Sequence, residues 1–294
     1  MKICRFSYDT QEYLGIYTNG GVVNLGEVFD YLDDVCPKNI LELIENFNEE
    51  KFALIEGLVG RGKFNHIEKD KIKFLSPIPY PKRNLFCLGK NYMEHAKEMD
   101  GKVGSDIPEH PIYFSKIANP SVGDNDFIES HGQLTEMLDY EVELAVIIGK
   151  EGINIKKEDA LDHVFGYTIA NDISARDLQN YHVQWLKGKS LSTFCPLGPV
   201  VVLKDEIENP NNLDIKCWVN SDIRQESNTK NMIFDIPTII EDLSREMVLN
   251  VGDIILTGTP AGVGMAFDPP KYLKKGDKIK CYIEKIGYLG NEVR

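Results

Sequence analysis

Apolar residues along this chain fall in short runs broken by glycine, proline and asparagine, the rhythm of strands rather than long helices. The densest run, Tyr140-Glu141-Val142-Glu143-Leu144-Ala145-Val146-Ile147-Ile148, stops at Gly149 and holds no proline. Strand side chains alternate, so Tyr140, Val142, Leu144, Val146 and Ile148 share one face. Glu141 and Glu143 share the other face with Ala145 and Ile147. The pattern predicts further strands over 85–88, 112–114, 164–169, 200–203, 215–219, 254–256 and 279–283. Helical spacing predicts helices over 92–99, 156–162, 175–185 and 237–247, the last capped by Asp235 with Pro237 in its first turn. Strands and helices do not alternate regularly, which excludes a TIM barrel or doubly wound sheet and predicts a β-rich α+β fold.

The first 75 residues read as a small α/β unit: a strand over 5–16, a turn at Asn19-Gly20-Gly21, a strand over 22–25, and helices over 40–47 and 51–59. Ser76-Pro77-Ile78-Pro79-Tyr80-Pro81 then carries three prolines in six residues, which predicts a stiff linker over 76–83 and a larger domain over 84–294.

Composition narrows the function classes. With 42% hydrophobic and 27% charged residues the chain is ordinary for a water-soluble globular protein. A net charge of −13 disfavours nucleic acid and anionic membranes as partners, although a local cation can still recruit an anionic substrate. No apolar run is long enough to span a bilayer, and Met1-Lys2-Ile3-Cys4-Arg5-Phe6 resembles a first strand rather than a secretion signal, so a cytoplasmic protein is expected. The six cysteines lack metal-site or disulfide-framework spacing, and Cys195 reads as structural.

The chemistry-bearing candidates each admit a plainer alternative. Two carboxylates side by side on a buried strand, Glu141 and Glu143, either share a proton, flank a hard divalent cation, or sit at a sheet edge in water. Asp172, where a strand ends before a helix, is a third ligand or a helix cap. His95 and Glu98, three apart on a helix, form a base and its orienting carboxylate or a surface ion pair. Lys187 and Lys189, around Gly188, are an oxyanion partner or two solvated lysines; the spacing of a phosphate loop is absent. The turn Thr257-Gly258-Thr259-Pro260 could hold a carboxylate or be a generic glycine turn.

Taken in order, Gly89-x-Asn91-Tyr92-x-x-His95-x-x-Glu98, Asp139-Tyr140-Glu141-x-Glu143, Asn171-Asp172-Ile173-Ser174-Ala175-Arg176-Asp177, Gly188-Lys189-Ser190, Arg224-Gln225 with Met232-Ile233-Phe234, and Gly252-Asp253 through Thr257-Gly258-Thr259-Pro260 closely resemble the fumarylacetoacetate hydrolase family. The likeness runs from about residue 77 onward, with a short N-terminal unit like that of bacterial members. It implies a mixed β-sandwich roll in a homodimer, Mg²⁺ or Mn²⁺ held by Glu141, Glu143 and Asp172, and a lid around His95 and Glu98. It also implies that Lys189 faces the substrate and that Gln179, Gly258, Thr259 and Lys90 help bind it. Many members carry arginine where this chain has Lys90, and lysine does not reproduce a bidentate arginine.

The chemistry implied is metal-assisted C–C cleavage of small 2-oxo acids, as an acylpyruvate hydrolase or oxaloacetate decarboxylase. The alternatives are an isomerase or tautomerase of hydroxymuconate-type acids and, from another class, a non-catalytic interaction protein keeping the fold. Residues 101–111 are expected to shape the far end of the pocket.

Overall fold

The computed structural model describes residues 1–98, 108–118 and 120–294. The strand Val142–Ile148 lies near the middle of a ten-stranded sheet and every residue in it is buried. It pairs antiparallel with Val164–Asn171 on one side and with Ile254–Leu256 on the other. Beyond Ile254–Leu256 the sheet continues through a parallel pairing to Leu85–Gly89 and ends at Ile112–Lys116. On the opposite side Leu197–Leu203 joins it to Lys2–Tyr8, Gln11–Thr18 and Gly21–Asn24.

Two apolar layers explain why both faces of Val142–Ile148 are buried. Val142, Leu144, Val146 and Ile148 pack in one core with Cys217, Ile279, Cys281 and Leu289. Those partners belong to a second, five-stranded sheet that includes Asp214–Val219, Lys278–Ile283 and Gly287–Val293. Ala145 and Ile147 join the other core, with Ile40, Leu43, Phe52 and Ile55 of the helices Ile40–Glu45 and Glu49–Gly60. Truncating a side chain such as Leu144 to alanine would cost about 2–5 kcal/mol. The fold is mixed α+β and strand-rich, as the hydrophobic pattern implied.

Some elements differ from the sequence expectation. The single strand expected over 5–16 is two strands joined at Asp9 and Thr10, both with positive φ (46° and 66°), the backbone of a two-residue hairpin turn. Aspartate–threonine is not the Asn-Gly or Asp-Gly pair that announces such a turn, so the pattern ran through it. The helix expected over 175–185 ends at Tyr181, because Val183 adopts a φ of 62°, and a separate short helix, Leu186–Lys189, follows. Leu25–Tyr31 is a helix capped by Asn24 where a strand end was expected. Chain on either side of residues 76–83 shares the one sheet through the Ile3–Val201 pairing, and the buried hydroxyls of Ser76 and Ser121 are hydrogen-bonded. No helix among the described residues is long and apolar enough to cross a membrane.

Candidate active site

The start of Val142–Ile148 brings Glu141 to the edge of a cavity of about 70 Å³, with Glu143 buried behind it on the same face. Leu88, Gly89, Phe114 and Trp185 give this cavity an apolar wall; Lys90, His95, Glu141, Arg176, Gln179, Lys189 and Thr259 face them. Asp172 reaches the same place from the end of Val164–Asn171, held there because its amide donates to the Glu141 carbonyl at 2.8 Å. One oxygen from each of Glu141, Glu143 and Asp172 lies within 4.8 Å of the other two. Asp172 does not cap the following helix, whose first turn has no side-chain cap.

Three buried cations surround these acids unevenly. Lys189 Nζ donates to both Glu141 Oε2 and Asp172 Oδ2 at 2.7 Å. Arg176 stands 2.7 Å from Glu141 Oε1, and Lys116 stands 2.7 Å from Asp172 Oδ1. Glu143 makes no ion pair among the described residues; its Oε2 accepts the Gly258 amide at 2.7 Å. Burial would raise the Glu141 carboxyl, but the charges of Lys189 and Arg176 outweigh it and bring it down to about 2. Burial, reinforced by the charges of Asp172 and Glu141, pushes the Glu143 carboxyl well above the usual carboxylate range. For Lys189 burial favours the neutral amine, yet Asp172 and Glu141 prevail and keep it a cation.

The donor set suits a hard divalent cation. All three groups are carboxylates, and Glu143 Oε1 has no hydrogen-bond partner among the described residues. A 2+ ion there would offset both the burial and the like-charge repulsion that push the Glu143 carboxyl up.

Why the sequence folds this way locally is visible in two glycines. A Cβ on Gly188 would sit 2.5 Å from the Gln179 amide nitrogen and 2.8 Å from the Ala175 carbonyl oxygen. The missing side chain therefore lets the two short helices touch and carries Lys189 inward, while Lys187 stays exposed. Gly258 has a φ of +96° and packs against Asn91, where a Cβ would meet the Asn91 side chain at 2.8 Å. Asn91, fully buried, donates to the carbonyls of Thr257 and Phe234 and accepts from the Phe234 amide. Three distant motifs are thus one knot that fixes the chain just before His95.

His95 is buried, and its Nδ1 lies 2.7 Å from Glu98 Oε1. Glu98 Oε2 in turn accepts the Gly262 amide at 2.8 Å. A carboxylate on Nδ1 places the proton there and leaves Nε2 as an acceptor. His95 lines the cavity and is close enough to Glu141 to favour its charged form. The pair is buried at His95 and half-buried at Glu98, not a solvated surface pair.

The expected ligand-binding residues divide. Gln179 lines the cavity and accepts from Arg176 Nη1 at 3.1 Å, which leaves its amide NH₂ for a ligand. Lys90 lines it from a backbone with φ of 55°. The Thr259 hydroxyl donates to the Val142 carbonyl and accepts from Gln225, so its proton is already committed. The Gly258 amide is likewise committed, to Glu143. Residues 101–107 lie outside the described residues. Cys195 is buried, and burial pushes its thiol up to about 12, as befits a structural cysteine.

Sequence reasoning passed over Lys116, Arg176 and Asp139. Asp139 accepts the amides of Tyr140, Gly264 and Met265 and pairs with Arg176 Nε at 2.9 Å, thereby fixing Arg176 against Glu141. For Lys116 the available signal was a lone charge at the end of Ile112-Tyr113-Phe114-Ser115-Lys116; Asp139 and Arg176 stood inside the recognised motifs without an assigned role.

Comparison with known proteins agrees with this geometry. The family model for the fumarylacetoacetate (FAA) hydrolase C-terminal domain matches residues 84–294. The chain is 53% identical over 223 residues to oxaloacetate tautomerase YisK of Bacillus subtilis, covering 76% of this chain and 73% of that one. Among solved structures it is similar to a fumarylacetoacetate hydrolase of Exiguobacterium antarcticum, with a TM-score of 0.85, 42% identity and 100% and 99% of the two chains covered. It is also similar to maleylpyruvate hydrolase of Sphingobium sp. SYK-6, solved with a manganese(II) ion and pyruvate, with a TM-score of 0.79, 29% identity and 100% and 98% covered. The chain belongs to the fumarylacetoacetate hydrolase family of enzymes.

Proposed function

We propose that this enzyme is a divalent-metal-dependent tautomerase of oxaloacetate and closely related 2-oxo dicarboxylic acids. The observation that carries the reading is His95, which lines the cavity together with Glu141 and Lys189 and whose Nε2 has no hydrogen-bond partner among the described residues. Loss of CO₂ from oxaloacetate needs no base, whereas moving a proton between C3 and the C2 oxygen does. The likeness to an oxaloacetate tautomerase at 53% identity points the same way. Tautomerisation thus takes precedence over the C–C cleavage that the sequence alone put first.

Glu141, Glu143 and Asp172 would hold Mg²⁺ or Mn²⁺, which when bound supplies Lewis acidity beside the keto oxygen. His95 Nε2 takes the proton as the C3–H bond breaks, and the electron pair moves to form the C2–C3 double bond. Glu98 keeps the imidazole oriented and supports its positive charge. Lys189, kept charged by Asp172 and Glu141, donates a hydrogen bond to the C2 oxygen, which takes its proton from solvent. Gln179 and Lys90 would receive the carboxylates.

Hydrolysis of an acylpyruvate is the second reading, favoured by the same base, which could activate water, and by the likeness to maleylpyruvate hydrolase. The full set of acids, base and lysine favours an enzyme over a docking protein. A cytoplasmic homodimer belongs to the same reading, on family likeness. A panel of 2-oxo acids with Mg²⁺ or Mn²⁺, scored for loss of enol absorbance and separately for pyruvate release, tests it. Enol loss without pyruvate supports tautomerisation; matched pyruvate release supports cleavage.

A further inference from the structure

Lys116 does not line the cavity and takes no part in the reaction above, yet its side chain is wholly enclosed at 0% exposure. A buried ammonium is costly unless its charge and its protons are matched. Here they are. Lys116 Nζ donates to the carbonyls of Ile173, at 3.0 Å, and of Lys189, and stands 2.7 Å from Asp172 Oδ1. Its two carbonyl partners lie on the segments that carry Asp172 and Lys189. One side chain from the edge strand Ile112–Lys116 thus ties a metal-ligand candidate to the substrate-facing lysine.

We propose that Lys116 is a resident counter-cation: a positioning residue that holds Asp172 aimed, and that weakens the grip of the acid cluster on its divalent ion. Asp172 has an ammonium on each oxygen, Lys116 on Oδ1 and Lys189 on Oδ2, both at 2.7 Å. An incoming ion therefore meets a fixed charge of its own sign on the same carboxylate, in a region shielded from water. Lys189 borders the cavity and can turn toward a ligand, but Lys116 is enclosed and anchored by two carbonyls, so its repulsion persists when the site is loaded. The result is an ion that exchanges rather than one locked in place, on a ligand set that stays assembled without it. This inference rests on reading Glu141, Glu143 and Asp172 as a cation site.

The test uses the full chain stripped with chelator and titrated with Mn²⁺ by calorimetry, as wild type, Lys116→Met and the exposed-lysine control Lys187→Met. Lys116→Met is expected to bind Mn²⁺ about tenfold tighter or more, and to release it to chelator more slowly. It should melt earlier than wild type in chelator and gain more from Mn²⁺, while Lys187→Met tracks wild type throughout. Equal or weaker Mn²⁺ affinity in Lys116→Met overturns the proposal. So does a Lys116→Met protein that stays unfolded with Mn²⁺ present, because the ion should replace the missing charge. Wild-type protein that binds no Mn²⁺ at all overturns the cation site itself, and the role of Lys116 with it.

Discussion

Glu141 and Glu143 stand two residues apart on one face of one strand, yet they favour opposite charge states. Lys189 and Arg176 contact Glu141, whose carboxyl is brought down to about 2; Glu143 accepts a backbone amide and has no ion-pair partner among the described residues, and burial and its acidic neighbours push it well above the carboxylate range. The asymmetry comes from where the cations sit rather than from the strand.

A proton should therefore leave when a cation binds. Burial and the neighbouring acids favour the protonated form of Glu143 in the metal-free protein, and a divalent ion needs the carboxylate. Mn²⁺ affinity should rise with pH by about tenfold per unit below the Glu143 midpoint. Calorimetry in buffers of different ionisation heat should find about one proton released per ion. The sign for stability is the reverse. A raised carboxyl stabilises the fold below its unfolded midpoint, and that contribution is lost as pH climbs from the ordinary carboxylate range through the raised midpoint, so the metal-free protein should weaken over that span and Mn²⁺ should restore it.

Glu143→Gln and Asp172→Asn should separate cleanly. Glutamine at 143 removes an acid whose charged form burial disfavours, so melting in chelator should match or exceed wild type while Mn²⁺ no longer stabilises. Asparagine at 172 leaves Lys116 and Lys189 underpaired in the interior and should cost about 3–5 kcal/mol, with or without Mn²⁺. Thermal melts of both, with chelator and with Mn²⁺, check this.

The strand alternation that put Glu141 and Glu143 on one face was legible from sequence, because a period of two admits no other reading over nine residues. Asp172 was legible only through family resemblance; by itself a carboxylate ahead of a helix looks like a cap. Lys116 was not legible as a site residue, since a single charge at the end of a short apolar stretch says nothing of which partner it meets, and Arg176, although inside a recognised motif, carries no spacing that assigns it to Glu141. Nor could spacing reveal that the Thr259 proton and the Gly258 amide are already spent on the protein itself.

His95→Asn should lower tautomerisation by about 10²–10⁴-fold while Mn²⁺ binding stays at the wild-type level. Glu98→Gln should lose about 10–100-fold, because it disturbs the orienter rather than the base. Any release of CO₂ from oxaloacetate should survive both changes. Steady-state rates beside Mn²⁺ titrations distinguish these outcomes.

Gly188→Ala tests the seat of Lys189. The new methyl group meets backbone at 2.5 Å and 2.8 Å, which cannot yield as a side chain would. A loss of about 1–3 kcal/mol in stability is expected, measured by denaturant unfolding, together with a fall in activity as Lys189 is displaced.

The most direct measurement is the decay of enol-oxaloacetate absorbance on adding the purified protein, with pyruvate assayed in the same sample. Rapid enol loss with Mg²⁺ or Mn²⁺, abolished by chelator and by His95→Asn, with little pyruvate formed, is the predicted result. Enol decay at the uncatalysed rate whatever metal is present, or pyruvate appearing in step with it, would contradict the account.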